Sequence, residues 1–262
     1  MTSVYSPQSE HGQNKVPEIT LTFWIIKVLS TTVGETAADY LAVNAGWGQG
    51  VTRAVMCALL CAILALQLGS ARFRPWLYWL AVVLVSIVGT QITDLLTDGL
   101  NVSLYLSTAL FAAALAAIFS IWYASERTLS MHTIVTRRRE SFYWAAILFT
   151  FALGTAAGDL ATEAAGLGFV RGAIIFGVLI ASIWLMFRAG ANPVATFWLA
   201  YILTRPFGAA LGDLLTQARA YGGLGFGAQW TSALFLAAIV GLVATLEFTA
   251  RSRRANSQPL QH

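Results

Sequence analysis

The chain has 262 residues, 57% of them hydrophobic and 11% charged, with a formal net charge of +4. An ordinary soluble domain carries about 25% charged residues, so these few ionic groups cannot cover a globule of this length, and the mean hydropathy is +0.68. A soluble enzyme, a disordered chain and a disulfide-stapled scaffold are excluded at once; Cys57 and Cys61 both fall in an apolar run and say little about redox compartment.

Residues 1–17 are polar and lack both a short apolar core and a small-residue cleavage site, so no removable signal peptide is predicted. Apolar runs of about the 20 residues that cross a bilayer then recur at 18–41, 51–69, 75–97, 102–124, 141–163, 169–188, 194–216 and 226–249. They are rich in Ala and Leu and lack period-two alternation, which predicts eight transmembrane helices and no barrel strands. The fold class expected is an all-α integral membrane protein. On the side of both termini lie Lys15, Arg72, Arg74, Arg127, Arg137, Arg138, Arg139, Arg188, Arg251, Arg253 and Arg254, against Arg53, Arg171 and Arg219 opposite. That bias predicts cytoplasmic termini. It reads as topology, with no nucleic acid as a partner.

Four segments share an aromatic residue, a Trp, a Gly ten residues later and an Asp five after that. They are Phe23-Trp24…Gly34…Asp39, Tyr78-Trp79…Gly89…Asp94, Tyr143-Trp144…Gly154…Asp159 and Phe197-Trp198…Gly208…Asp213. Each unit is a helix pair with the motif on its first helix, so the four repeats are parallel. The Trp-to-Trp steps of 55, 65 and 54 residues group them into two four-helix halves. The expected organisation is a polar cytoplasmic tail (1–17), a first half (18–124), a basic linker (125–140), a second half (141–249) and a basic tail (250–262). This pattern resembles a family of bacterial membrane proteins built from four tandem two-helix repeats with a characteristic tryptophan and of unknown function. The resemblance covers roughly residues 20–250 and implies the layout and a bacterial inner-membrane location. It implies no activity.

Trp to Asp is about 22 Å along a helix, most of a hydrocarbon core of about 30 Å. Trp24, Trp79, Trp144 and Trp198 are expected as interfacial belt anchors. Gly34, Gly89, Gly154 and Gly208 are expected near the midplane, where they let helices approach closely. An acid in the apolar region faces the bundle interior by default and marks a pathway, so Asp39, Asp94, Asp159 and Asp213 are candidate ion or proton ligands. Glu35, Thr90 and Thr155 precede them by one turn, and Thr97, Asp98, Thr162 and Glu163 follow three or four residues later, spacing that predicts one polar face. A structural reading, in which Asp39 pairs with Arg53 or Asp159 with Arg171, stands beside the functional one.

Two features break the fourfold pattern. Glu35 occurs only in repeat one, and Arg205, followed by Pro206, only in repeat four, where Thr31, Ser86 and Phe151 stand elsewhere. They are expected to face each other as a buried pair, with Pro206 kinking its helix. Lys27, a second candidate counter-ion, is expected to snorkel to the cytoplasmic side. Carboxylates and hydroxyls without His or Cys suit hard cations such as Mg²⁺ or Mn²⁺, and protons. No enzyme motif is present, and no cofactor is expected. The function expected is a secondary transporter of a hard cation, with protons as coupling ion. A passive cation pore and a non-transporting scaffold or sensor are the alternatives. The partners are the bilayer and a small cation or proton, with homo-oligomerisation left open.

Overall fold

The computed structural model describes residues 14–256, apart from the side chains of Glu35, Ala38, Asp39, Val43, Asn44, Arg251 and residues 253–256. Eight long helices follow one another: α1 (Leu21–Asp39), α2 (Gly48–Gly69), α3 (Pro75–Asp94), α4 (Leu104–Glu126), α5 (Arg137–Asp159), α6 (Gly168–Arg188), α7 (Pro193–Thr216) and α8 (Ala228–Asn256). No strand occurs among the described residues. Helices α2 to α8 are long and apolar enough to cross a membrane, whereas the apolar stretch described for α1, Leu21–Gly34, is shorter.

Local chemistry sets where the helices start. The hydroxyls of Thr20, Ser103 and Thr136 accept hydrogen bonds from the backbone N–H of Phe23, Leu106 and Arg139, each an N-cap. Pro75 and Pro193 stand at first helical positions, where their missing N–H costs nothing. The opposite ends share a device: directly after Asp39, Asp94 and Asp159 the chain makes one π-helical turn, at Tyr40–Asn44, Leu95–Gly99 and Leu160–Ala164. In repeats one and three the following turn needs positive φ at Gly46 and Gly48, and at Gly166 and Gly168, which glycine adopts without strain. Repeat four has a looped-out 3₁₀ turn, Arg219–Tyr221, instead. The N–H of Leu224 still bonds back to the Leu214 carbonyl.

In space the inner helices of the four repeats form one ring. α1 packs on α3, α3 on α5, α5 on α7 and α7 back on α1, while α2, α4, α6 and α8 lie outside, each against the next inner helix, α3, α5, α7 and α1 in turn. The inner helices are buried on most faces. The outer ones bury a stripe: Thr52, Met56, Leu60 and Gln67 on α2, and Ser107, Phe111, Leu115 and Trp122 on α4. The rest of their surface is exposed yet apolar, as at Leu110, Ile121, Ile174, Val178, Leu185 and Val240. Helices apolar on all sides in an outer layer have the character of a multi-pass membrane protein.

A cyclic contact closes the ring. A Cβ on Gly34 would fall within 3.0 Å of Ser86 Cβ, on Gly89 of Phe151 Cβ, on Gly154 of Arg205 Cβ and on Gly208 of Thr31 Cβ. Each repeat's glycine thus receives the residue three before the glycine of the next repeat, and repeat four returns to repeat one. Lost side-chain volume becomes close helix approach, the arrangement by which membrane helices associate.

The end of the bundle holding Lys15, Arg72, Arg74 and Arg138, here the basic end, includes part of the predicted tail. Lys15, Val16 and Pro17 are buried there. Lys15 Nζ lies 2.6 Å from Glu140 Oε2, Gln67 Nε2 donates to Glu140 Oε1 at 3.0 Å, and Lys15 N–H donates to the Ile134 carbonyl at 3.1 Å. The tail is therefore a packed strap from Asn14 onward.

Candidate functional site

The inner helices line an axis with every fourth residue, so successive layers are about 6 Å apart along each helix. From the basic end, the layers are Phe23, Tyr78, Tyr143 and Phe197; then Lys27, Val82, Ile147 and Tyr201; then Thr31, Ser86, Phe151 and Arg205. In the next, Glu35, Thr90, Thr155 and Ala209 share a register, and Asp39, Asp94, Asp159 and Asp213 end the series.

The first layer is an aromatic floor. Its four side chains are buried, and the Tyr78 and Tyr143 hydroxyls are hydrogen-bonded at 2.6 Å. Trp79, Trp144 and Trp198 wedge between helices around it: Trp198 stacks edge-on to Phe119 and Trp122, with centroids 4.9 and 5.9 Å away, and its indole N–H donates to the Leu129 carbonyl at 3.0 Å. The belt role expected for the tryptophans is corrected for these three, which are at most 5% exposed. A belt anchor needs an outer face, and these rings point into helix contacts. Trp24 is partly buried against Phe23 and Phe197.

The second and third layers hold the charge. Lys27 is 0% exposed, so the expected snorkelling is also corrected. Its position on the inward stripe gives the stem no route along an outer surface. The ammonium donates to Thr31 Oγ1 at 3.1 Å and lies 4.0 Å from the Phe151 ring centroid and 4.4 Å from that of Tyr201, contacts that partly replace its hydration. Arg205 is equally buried. Its guanidinium lies 5.9 Å from the same Phe151 ring, and Nη2 donates to Thr90 Oγ1 across the ring. Two cations thus converge on one phenyl group. Pro206 packs against Gly158 and Gly154, and α7 runs through it without a break. The expected Glu35–Arg205 pair lies outside the described residues because of the Glu35 side chain.

Hydroxyls line the distal half. Those of Thr90 and Thr155 donate to carbonyls one turn back on their own helices, and Thr90 Oγ1 also accepts from Arg205 across the ring. Thr32 and Thr93 bridge helices by also donating to the Gly208 and Ala152 carbonyls, at 3.0 and 3.1 Å. Asp94, Asp159 and Asp213 are half-buried at the distal end; the Asp39 side chain is outside the described residues. Asp98 and Glu163 are exposed, contrary to the expected single polar face. The π turn that begins right after Asp94 and Asp159 changes the helical phase, so a spacing of four no longer keeps these acids beside them. Among the described residues no three His, Cys, Asp or Glu side chains are grouped to hold a metal ion.

Sequence reasoning missed the tyrosines as axis groups, although Tyr201 stands in repeat four where Lys27 stands in repeat one, three residues after the Trp. It also missed Glu140 and Gln67, which no repeat signal marks. The family model for a Repeat of Unknown Function (DUF347) matches residues 22–73, 77–128, 142–191 and 196–252, one match per repeat. No curated protein and no solved structure matches the chain.

Proposed function

The chain belongs to the DUF347 repeat family, whose description carries no activity, and we propose from the site alone that it is a secondary transporter exchanging a hard cation for protons. In this reading all eight helices span a bacterial inner membrane, the basic end is cytoplasmic, and the ion path is the axis of the inner ring. The observation that carries the reading is the pair of fully buried basic side chains, Lys27 and Arg205, at the centre of that axis. Charge at such depth costs several kcal/mol on insertion scales and is a functional feature by default. A scaffold gains nothing from it.

The Lys27 charge argues against a passive cation pore, because a buried ammonium on the axis disfavours a second cation beside it and the aromatic floor closes one end. It does not argue against exchange. The distal acids Asp94, Asp98, Asp159, Glu163 and Asp213 raise the local cation concentration at the outer mouth, and a cation advances only when positive charge leaves the centre. A second reading has its own support: the contacts of the buried Lys27 ammonium are a hydroxyl and two ring faces, a setting that would also hold a small anion. Proteoliposome flux separates them, with Mn²⁺, Mg²⁺, Ca²⁺ and chloride each tested against an internal pH dye. Cation uptake with alkalinisation of the vesicle interior, protons leaving as the cation enters, and loss of both in Asp159→Asn and Asp213→Asn are expected. Anion uptake would replace the first reading by the second; no flux of any ion would leave a scaffold.

A further inference from the structure

We propose that Lys27 is the group that carries the exchanged proton, and that Tyr201 and the Tyr78–Tyr143 pair form its route to the basic end. The inference rests on the transport reading for its meaning, but its physical basis is local. Of the two buried cations, an arginine does not give up its proton in a protein, whereas a lysine ammonium readily does when desolvated surroundings require it. Lys27 is thus the one of the pair able to change charge. The contacts recorded for its ammonium are one hydroxyl and two ring faces, none of which carries a formal negative charge.

The ammonium touches Thr31 of α1, the Phe151 ring of α5 and the Tyr201 ring of α7, and the Arg205 guanidinium of α7 shares the Phe151 ring. The other titratable groups on the helices around α1 towards the basic end are Tyr143 on α5 and Tyr78 on α3, one layer down, and Glu247 on α8. Glu35 lies two turns further along α1 itself. Tyr201 is fully buried, and its hydroxyl has no hydrogen-bond partner among the described residues. It belongs to the same layer as Lys27, and the next layer towards the basic end holds the paired Tyr78 and Tyr143 hydroxyls. One phenol thus stands beside the ammonium and two more lie in the floor between it and the basic face. In the step proposed, one N–H bond of the ammonium breaks, the amine keeps the electron pair, and the proton passes to water on the distal side as a cation from that side takes its place. Nothing is oxidised or reduced. A proton from water at the basic end then returns to the amine through these hydroxyls, and the restored ammonium drives the cation on towards the basic end.

The chain contains two lysines, Lys15 and Lys27, so lysine-selective ¹⁵N labelling gives two side-chain signals, which Lys15→Arg assigns. In the wild-type protein the Lys27 signal is expected to pass from ammonium to amine over a pH range in which the protein stays folded. Tyr201→Phe is expected to slow its exchange with solvent deuterium, and Lys27→Arg to reduce proton countertransport in proteoliposomes to the level of empty vesicles. A Lys27 that stays an ammonium wherever the protein is folded overturns the proposal, as does a folded Lys27→Arg variant that still exchanges protons. The two readings fail separately. Ion flux with a Lys27 that never titrates sinks this inference alone, whereas a titrating Lys27 without any flux supports the proton site and sinks transport.

Discussion

Helices α3 and α7 stand opposite each other in the inner ring and fill the same register with different chemistry. α3 presents Tyr78, Val82, Ser86 and Thr90 to the axis, and α7 presents Phe197, Tyr201, Arg205 and Ala209. Both make the same backbone contact: the Cβ of Ser86 meets Gly34, and the Cβ of Arg205 meets Gly154. What the packing constrains is therefore the first carbon of the side chain and the glycine that receives it. The rest of that side chain extends into the axis, where a hydroxyl, a phenyl ring or a guanidinium can follow without disturbing the ring. A fourfold frame can thus hold a site with no fourfold symmetry.

If this is right, asymmetric groups are held by their own local partners, and the largest loss comes from orphaning one of them. Glu140 stands four residues before its Trp, where Thr20, Pro75 and Val194 stand in the other repeats. Replacing it by Leu leaves Lys15 buried without its carboxylate, a change that costs about 3–5 kcal/mol. Thermal unfolding in detergent reads it, and Lys15→Met combined with Glu140→Leu is expected to restore most of the loss. A Glu140→Leu protein as stable as the wild type would show that the strap is not held by this pair.

The frame itself is tested next. Valine at Gly34, Gly89, Gly154 or Gly208 forces a Cβ into a neighbour's Cβ, overpacking of about 3 kcal/mol, and the four losses are expected to be alike. Valine at Gly241, where no atom lies within 4 Å of the added carbon, is expected to change little beyond helix propensity. A protein that tolerates three of the four inner valines would show that the cyclic contact is not the common element.

Much of this frame was legible in the sequence, because an invariant Trp–Gly–Asp spacing reports a repeated helix and a glycine midway along it reports close approach. The site was legible only in part. Arg205 stood out by breaking the pattern, but Lys27 looked like an interfacial residue because depth along a helix says nothing about which face a residue occupies. Counting three from each Trp, which aligns Lys27 with Val82, Ile147 and Tyr201, would have placed it inward. Asp98 and Glu163 were misplaced because a π turn is a property of hydrogen bonding at the helix end, and nothing in a spacing of four announces it. Glu140 and Gln67 meet across 73 residues, a separation no local pattern encodes.

Across the ring, Thr90 is where α3 answers α7. Thr90→Val keeps the shape but removes the oxygen that accepts from Arg205 Nη2, and a hydrogen bond to a charged group contributes about 2 kcal/mol. Ala209→Val, the change at the same register on α7, removes no polar partner. Stability loss in the first that exceeds any in the second would place the coupling between the helices in this bond. Equal losses would assign it to packing.

The smallest effect separates the two sides of the aromatic floor. Tyr78 and Tyr143 lie on adjacent helices, as do Phe197 and Phe23, and the rings pack similarly while only the first pair is joined through hydroxyls. Tyr78→Phe and Tyr143→Phe are each expected to cost about 1 kcal/mol, the net value of a neutral hydrogen bond. The double variant is expected to cost less than the sum, because one bond is lost in either single change. If the hydroxyls serve only to close the floor, the double variant will also move protons as the wild type does, since phenyl rings seal it equally well. A double variant that stays folded but loses proton exchange would instead show that the floor is a passage on the tyrosine side and a wall on the phenylalanine side.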